Sequence, residues 1–409
     1  MRATRRRFLK TAACVSTVCA MDRFAPQFLL RAAEQADRRN GDDRVLVVVQ
    51  LNGGNDGLNT VVPFRNDDYY KNRPKLAIGA DRVHKFHDDF GFHPSMSGVA
   101  ELMKEGLLSI VQGVGYPDPN RSHFESMDIW HTCQRKEQRS QDGWLGRYLD
   151  RGKDRWGSDS PAIHLGAEKQ PYALVAQHVR TPSVASVEKF RLHTEKESAA
   201  AESIRKLANA ERSETSSLLD FVSSSTQSAL DASERIEAAS KSYQPATEYP
   251  ESGLAGKLRT VAQLLDAGFR TRVYYVELDN FDTHSQQPDA HAALLTEYSN
   301  ALNAFWTDIA KHGHGDRVVV MTFSEFGRRV RENASEGTDH GAAAPMFLLG
   351  KKVQSGIVGA LPSLTDLDDG DLKHHTDFRQ VFASVLEGWL GCESESILGG
   401  KYAPVGMRA

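Results

Sequence analysis

Two short segments each carry an Asp and a His close together: Phe281-Asp282-Thr283-His284 and Thr338-Asp339-His340-Gly341. Carboxylate oxygen and imidazole nitrogen are the donors that a hard or borderline divalent ion takes. Asp282 and His284 stand two apart, so in extended backbone both point to one side, as two ligands of one ion would. A polar surface loop would look the same. Asp339 and His340 are adjacent and cannot face one point from regular structure. They need a kinked loop, which Gly341 permits. Asp56 sits in a third segment, Gly53-Gly54-Asn55-Asp56-Gly57, where a ligand-approaching loop and a plain Gly/Asn/Asp turn explain the residues equally. Glu325, in Ser324-Glu325-Phe326-Gly327-Arg328-Arg329, could bind a metal, take a proton, or pair with Arg328 or Arg329.

A nucleophile candidate lies between these segments. Asn120-Arg121-Ser122-His123-Phe124 follows a Pro/Gly turn and leads into a helix expected over Glu125 to Thr132. A serine there is either a helix cap or a hydroxyl facing the unpaired N–H groups that favour anions. With Arg121 to contact the anion and a metal opposite, Ser122 is a candidate to receive a phosphoryl or sulfuryl group. His123 is a candidate supporting group or proton donor. These residue types together point to a metal-dependent hydrolase.

The positioning elements are legible as apolar runs. Arg44 to Leu51, Leu107 to Val111, Val273 to Leu278, Val318 to Phe323 and Met346 to Leu349 read as strands, and the first is apolar enough to be buried on both faces. Each Asp-bearing segment follows one of these strands, and in an open α/β sheet sites form at that C-terminal edge. Helical spacing marks Ser95 to Glu105, Leu254 to Gly268, His291 to Ile309 and Phe378 to Leu390. His374-His375-Thr376-Asp377 precedes the last of these and reads first as a capped helix start. From Phe190 to about Gln244 the chain turns rich in Ala, Ser, Glu and Lys, as an inserted set of helices packing on the core would.

The chain has 409 residues, 40% hydrophobic and 25% charged, with a net charge of −4. That is enough for one large domain, and it lacks the basic excess of a nucleic-acid binder. No apolar run reaches the length of a membrane span. At the N-terminus, Thr4-Arg5-Arg6-Arg7-Phe8-Leu9-Lys10 before a modestly apolar stretch has the order of a twin-arginine export signal. Residues 1–33 are therefore expected to be leader, cleaved after Ala20 or near Ala33, with the translocase as a transient partner and the periplasm or exterior as destination. Cys133 and Cys392 lie beyond the leader and are either a disulfide or two free thiols.

The motifs GGNDGLN (Gly53 to Asn59), NRSHF (Asn120 to Phe124), FDTH (Phe281 to His284), FSEFGRR (Phe323 to Arg329) and TDHG (Thr338 to Gly341), behind a twin-arginine leader, resemble a secreted bacterial family, domain-of-unknown-function family 1501. The likeness runs from about Leu46 to Leu390. That family looks related to the alkaline phosphatase, sulfatase and cofactor-independent phosphoglycerate mutase superfamily. The resemblance implies a three-layer α/β/α sandwich with a mostly parallel central sheet, spanning residues 44–409 with the helical insertion at about 190–245. It also implies one or two divalent ions, zinc or manganese, with Asp56, Asp339 and His340 on one, Asp282 and His284 on the other, and Ser122 as nucleophile. Asn52 stands closer than Asp56 to the position where the superfamily carries its first Asp. The superfamily's final His has no clear counterpart beyond His374 or His375. The CxPxR motif of formylglycine sulfatases is absent.

The expected function is an exported hydrolase of phosphate or sulfate esters on a small molecule or polysaccharide. The alternative is a non-catalytic exported protein of the same fold that binds polysaccharide or a cell-surface partner.

Overall fold

The computed structural model describes residues 43–138, 140–156, 160–166, 169–184 and 243–407. The expected leader lies outside them, as does the expected helical insertion apart from residues 243–245. Fifteen elements of the described chain position the site. They are β1 (Val45–Leu51), α1 (Ser97–Lys104), β2 (Leu108–Gly115), α2 (His123–Thr132), α3 (Trp144–Arg151), β3 (Ala162–Leu165), β4 (Ser183–Val184), α4 (Gly253–Asp266), β5 (Val273–Leu278), α5 (Gln287–Lys311), β6 (Val318–Phe323), β7 (Ala344–Leu349), β8 (Gly356–Val358), β9 (Thr376–Asp377) and α6 (Phe378–Ala383).

The strands form one sheet in the order β8-β2-β7-β6-β1-β5-β3-β4, with β9 pairing to β2. Strand β1 is central and parallel to β5 and β6. Strand β7 is antiparallel to both its neighbours, β2 and β6. The remaining pairings are parallel.

All seven residues of β1 are buried. Val45, Val47, Val49 and Leu51 pack into one core with helices α1, α4 and α5. Leu46 and Val48 pack into the other with α2, α3 and α6. Successive strand residues point to opposite faces, so an unbroken apolar run is what a sheet covered by helices on both sides requires. Each fully buried side chain of this kind contributes roughly 1.5–3 kcal/mol. The result is a three-layer α/β/α fold with a mostly parallel sheet.

Some element ends differ from the sequence expectations. Helix α1 begins at Ser97, not Ser95, and is preceded by Met96. Helix α5 begins four residues before His291, because Pro288 suits the first turn of a helix. The closing helix passes from α-helix to a π-helical turn over Ser384–Trp389. Asp377 caps it through a reciprocal capping box with Gln380. Cys133 and Cys392 are free thiols. Among the described residues no helix is long and apolar enough to cross a membrane.

Candidate metal centre

Strands β1, β5 and β6 lie side by side, so the loops that leave their C-terminal ends meet. Two glycines let them pack backbone to backbone. Gly53 has φ +117°, and a Cβ there would lie 2.4 Å from the Asp282 nitrogen. Gly341 serves close approach rather than an unusual φ, since its Cβ would lie 2.5 Å from the Arg328 carbonyl carbon. The Gly-rich loop therefore meets the Phe281–Asp282 backbone at Gly53 and the Phe326 ring at Gly54.

Arg328 holds these loops. It is 2% exposed. Its guanidinium donates to the carbonyls of Gly53, Gly54 (2.6 Å), Phe281 (3.0 Å) and Thr338 (2.7 Å), and to Asp282 Oδ1 (2.7 Å). One side chain thus ties the glycine loop, the FDTH segment and the TDHG segment together. Glu325 pairs with neither Arg328 nor Arg329 among the described contacts. It is 2% exposed and accepts the Gly53 N–H (2.9 Å), the Ser324 hydroxyl (3.0 Å) and His123 Nδ1 (2.8 Å).

Around Asp282 the structure gathers three imidazoles. His284 Nε2 and His340 Nε2 each lie 3.0 Å from Asp282 Oδ1, and His123 Nε2 lies 3.4 Å from Oδ2. The two nitrogens His284 Nε2 and His340 Nε2 are 2.9 Å apart. The partners of the outer nitrogens set the tautomers. His123 Nδ1 faces the Glu325 carboxylate and His340 Nδ1 faces the Arg121 carbonyl at 2.8 Å. His284 Nδ1 faces Asp339 Oδ1 at 3.3 Å. Carboxylates and carbonyls only accept, so each Nδ1 carries the proton. All three Nε2 atoms then turn lone pairs on one carboxylate and, for His284 and His340, on each other. Such an arrangement calls for a cation among them. His123, Asp282 and His340 offer donor atoms that all lie within 4.8 Å of one another.

The electrostatics agree. Burial opposes ionisation of Asp282, but the hydrogen bond from Arg328 and the Arg328 charge hold its carboxyl well below the usual range. The Glu325 hydrogen bond raises His123 above an ordinary imidazole, so its Nε2 holds a cation, proton or metal, more tightly. Burial also opposes ionisation of Asp339, while hydrogen bonds from Asn333 and His284 lower its pKa.

The other expected site residues fall elsewhere. Asp56 is not brought to this cluster. It is 1% exposed, and its Oδ2 accepts from Arg73 Nη1 and Gln287 Nε2, each at 2.5 Å. Against its burial, the Arg73 charge keeps it ionised. Asp339 touches the cluster only through His284. Arg121 does not offer its guanidinium to the centre: it pairs with Asp371 (2.7 Å) and Asp369 (3.2 Å) because those carboxylates stand beside it. Ser122 is exposed at the start of α2, with its hydroxyl making no cap bond. His374 lines a neighbouring cavity of about 450 Å³ with Arg121 and Asp371. His375 donates its backbone N–H to the Gly113 carbonyl at 2.8 Å. Asn52 turns away and donates to Glu277 and Asp279. The sequence offered Arg328 only as a partner for Glu325, not as the group that ties the loops, and Gln287 not at all. The FGRR motif was a signal for Arg328, but an ordinary glutamine at a helix start gave none.

The Asp56–Arg73 pair supports the loops from beneath. Arg73 also donates to Asn59 Oδ1 (2.9 Å) and the carbonyls of Val330 (3.0 Å) and Arg329 (3.1 Å). Arg73→Met should therefore leave a buried carboxylate uncompensated and destabilise the fold by about 3–5 kcal/mol. Urea denaturation measures this, and a loss below about 1 kcal/mol would show that the pair is not holding that charge.

A family profile matches residues 43–387. The chain belongs to the DUF1501 family, proteins of unknown function. No curated protein matches it. Among solved structures, this DUF1501 protein is similar to a protein in the alkaline phosphatase superfamily from Vibrio parahaemolyticus, at 10% identity and TM-score 0.35, covering 78% of this chain and 62% of that one. It thus spans less than two thirds of that chain's length. It is also similar to a phosphonate monoester hydrolase from Silicibacter pomeroyi, at 9% identity and TM-score 0.40, covering 88% and 75%. A third is the lipoteichoic acid synthase LtaP from Listeria monocytogenes, at 9% identity and TM-score 0.38, covering 78% and 68%. At this level of likeness no site residue transfers.

Proposed function

We propose that this DUF1501 protein is an exported, metal-dependent hydrolase of phosphate or sulfate esters, acting on a small molecule or a polysaccharide. The observation that carries the reading is the convergence of the His123, His284 and His340 Nε2 lone pairs on Asp282. His123, Asp282, His284 and His340 would hold zinc or manganese, with Asp339 orienting His284 or joining a second ion. Glu325 fixes the His123 tautomer, a carboxylate–imidazole pairing common behind metal-binding histidines. A divalent ion bound there would neutralise ester oxygens and lower the pKa of a nearby hydroxyl.

Ser122 is the proposed nucleophile. It precedes His123 directly, and its N–H donates to Asn120 Oδ1 at 2.8 Å, which sets the turn into α2. Its Oγ would form the bond to phosphorus or sulfur as the ester oxygen leaves, and water would then release the acid from serine. The first N–H groups of α2, which have no preceding helical turn to pair with, favour the anion.

The test is a screen of chromogenic phosphate monoesters, phosphate diesters and sulfate esters, with and without added zinc or manganese. Ser122→Ala should reduce kcat at least about 1000-fold while metal content stays the same. Full activity in that variant would remove Ser122 from the mechanism. Stoichiometric metal with no turnover of any ester would favour the binding-protein reading.

A further inference from the structure

Gln287, the first residue of α5, is 0% exposed and touches all three site loops. Its Oε1 accepts from the Thr338 hydroxyl at 2.7 Å and the Thr283 hydroxyl at 3.1 Å. Its Nε2 donates to Asp56 Oδ2 at 2.5 Å. Thr283 lies between Asp282 and His284, and Thr338 precedes Asp339. The Thr338 N–H also donates to the Thr283 carbonyl at 3.2 Å, so the amide reinforces a junction the backbone already makes.

The chemistry selects an amide of this length. One end must accept from two hydroxyls, and the other must donate to a carboxylate that Arg73 keeps ionised. A glutamate would set a second carboxylate against Asp56, and an asparagine is one methylene short. Neither the FDTH nor the TDHG segment has a helix or strand of its own to fix it. Backbone bonds tie the TDHG segment to Gly327, Arg329 and Thr283, and the side chains beneath the loops fix the rest of the ligand spacing, as outlying hydrogen bonds do around metal ligands.

We propose that Gln287 is a positioning residue: it holds the two Asp/His loops at the separation at which His284 and His340 share one cation. Asp56, neutralised by Arg73, acts through Gln287 and not as a ligand. The metal part rests on the proposed metal centre; the loop-holding part rests on geometry alone.

The experiment uses the full chain and three variants: Gln287→Ala, Thr338→Val and Asp308→Asn. Zinc affinity is read by competition with a chromogenic chelator, and loop order by amide hydrogen exchange at Thr338 without metal. Gln287→Ala should weaken zinc binding 10–100-fold and speed Thr338 exchange at least about 10-fold relative to the control. Thr338→Val removes one of the two hydroxyls at nearly constant shape. It should show a smaller change of the same sign, and it serves if Gln287→Ala does not fold. Asp308 is the control, because its buried carboxylate binds Tyr243 and Tyr249 and is hydrogen-bonded to no site residue. Its variant should lose stability yet keep zinc affinity. Equal zinc losses in Gln287→Ala and Asp308→Asn would overturn the proposal, as would unchanged exchange at Thr338. If the wild type takes up no zinc but Gln287→Ala still speeds Thr338 exchange, the loop clamp stands and the metal reading falls.

Discussion

Asp282→Asn is expected to abolish stoichiometric metal binding, lowering zinc or manganese affinity by at least about 100-fold, because losing a ligand costs more than losing its supporting hydrogen bond. Asp282 is the one group that all three imidazoles approach. An amide in its place removes the negative charge that balances the ion and turns an N–H₂ toward at least one lone pair. Elemental mass spectrometry of the folded protein reads the result directly. The wild type should carry one or two equivalents, and the Asp339→Ala/His340→Ala double variant should also be depleted. The fold should survive the change, since Asp282 is half-exposed and Arg328 keeps its four carbonyl partners. A wild type without stoichiometric transition metal, or an Asp282→Asn protein that retains it, would end the metal-centre reading.

Acid should unfold the protein through two histidines outside the site. His131 is buried against Gln50 (2.8 Å) and Tyr275 (3.2 Å), and His291 against Asn55 (3.0 Å). Burial pushes each down to about 4 from the ordinary 6.5. The folded state therefore holds both neutral, while the unfolded chain protonates them near pH 6.5. Their stabilisation is complete above that pH and is lost as pH falls toward 4. Below 4 both states are protonated and the loss levels off. A depression of this size is worth on the order of 3 kcal/mol per histidine, and the two together rival the 5–15 kcal/mol that holds a typical domain folded. Unfolding free energies from urea melts at pH 7.5 and 4.5, taken on the Asp282→Asn variant with chelator so that metal release does not contribute, should differ by at least roughly that amount. His131→Gln and His291→Gln should each reduce the difference, and His93, which burial pushes down to about 3, supplies a further part of it. A midpoint that does not move between the two pH values would contradict the burial of these neutral imidazoles.

The layers of the fold were readable because their cause is local. The run Val45-Leu46-Val47-Val48-Val49 has no polar side, and only a strand covered on both faces accommodates that. The runs at Val273 and Val318 repeat the pattern, so a parallel sheet carrying Asp/His segments at one edge followed from the order of residue types. Asp282 and His284 do lie together, but through a turn and not the extended chain that their spacing suggested: the Thr283 and His284 N–H groups each donate to the carbonyl two residues back. The antiparallel setting of β7 did not follow from the sequence, because an apolar strand reads the same in either direction.

The sequence by itself determined which chemistry is available: carboxylates, imidazoles and a serine at the ends of buried strands. Tertiary structure decided which of them meet. His123 enters the cluster although it belongs to a helix start 159 positions before Asp282. Asp56, equally acidic and also at a strand end, is withdrawn by Arg73 and Gln287. Arg121 is drawn off by Asp369 and Asp371. In each case the partner comes from a distant part of the chain, or from a residue type with many other uses. Whether a carboxylate serves an ion or an arginine depends on which positive group the fold places nearest to it, and spacing along the chain carries no record of that.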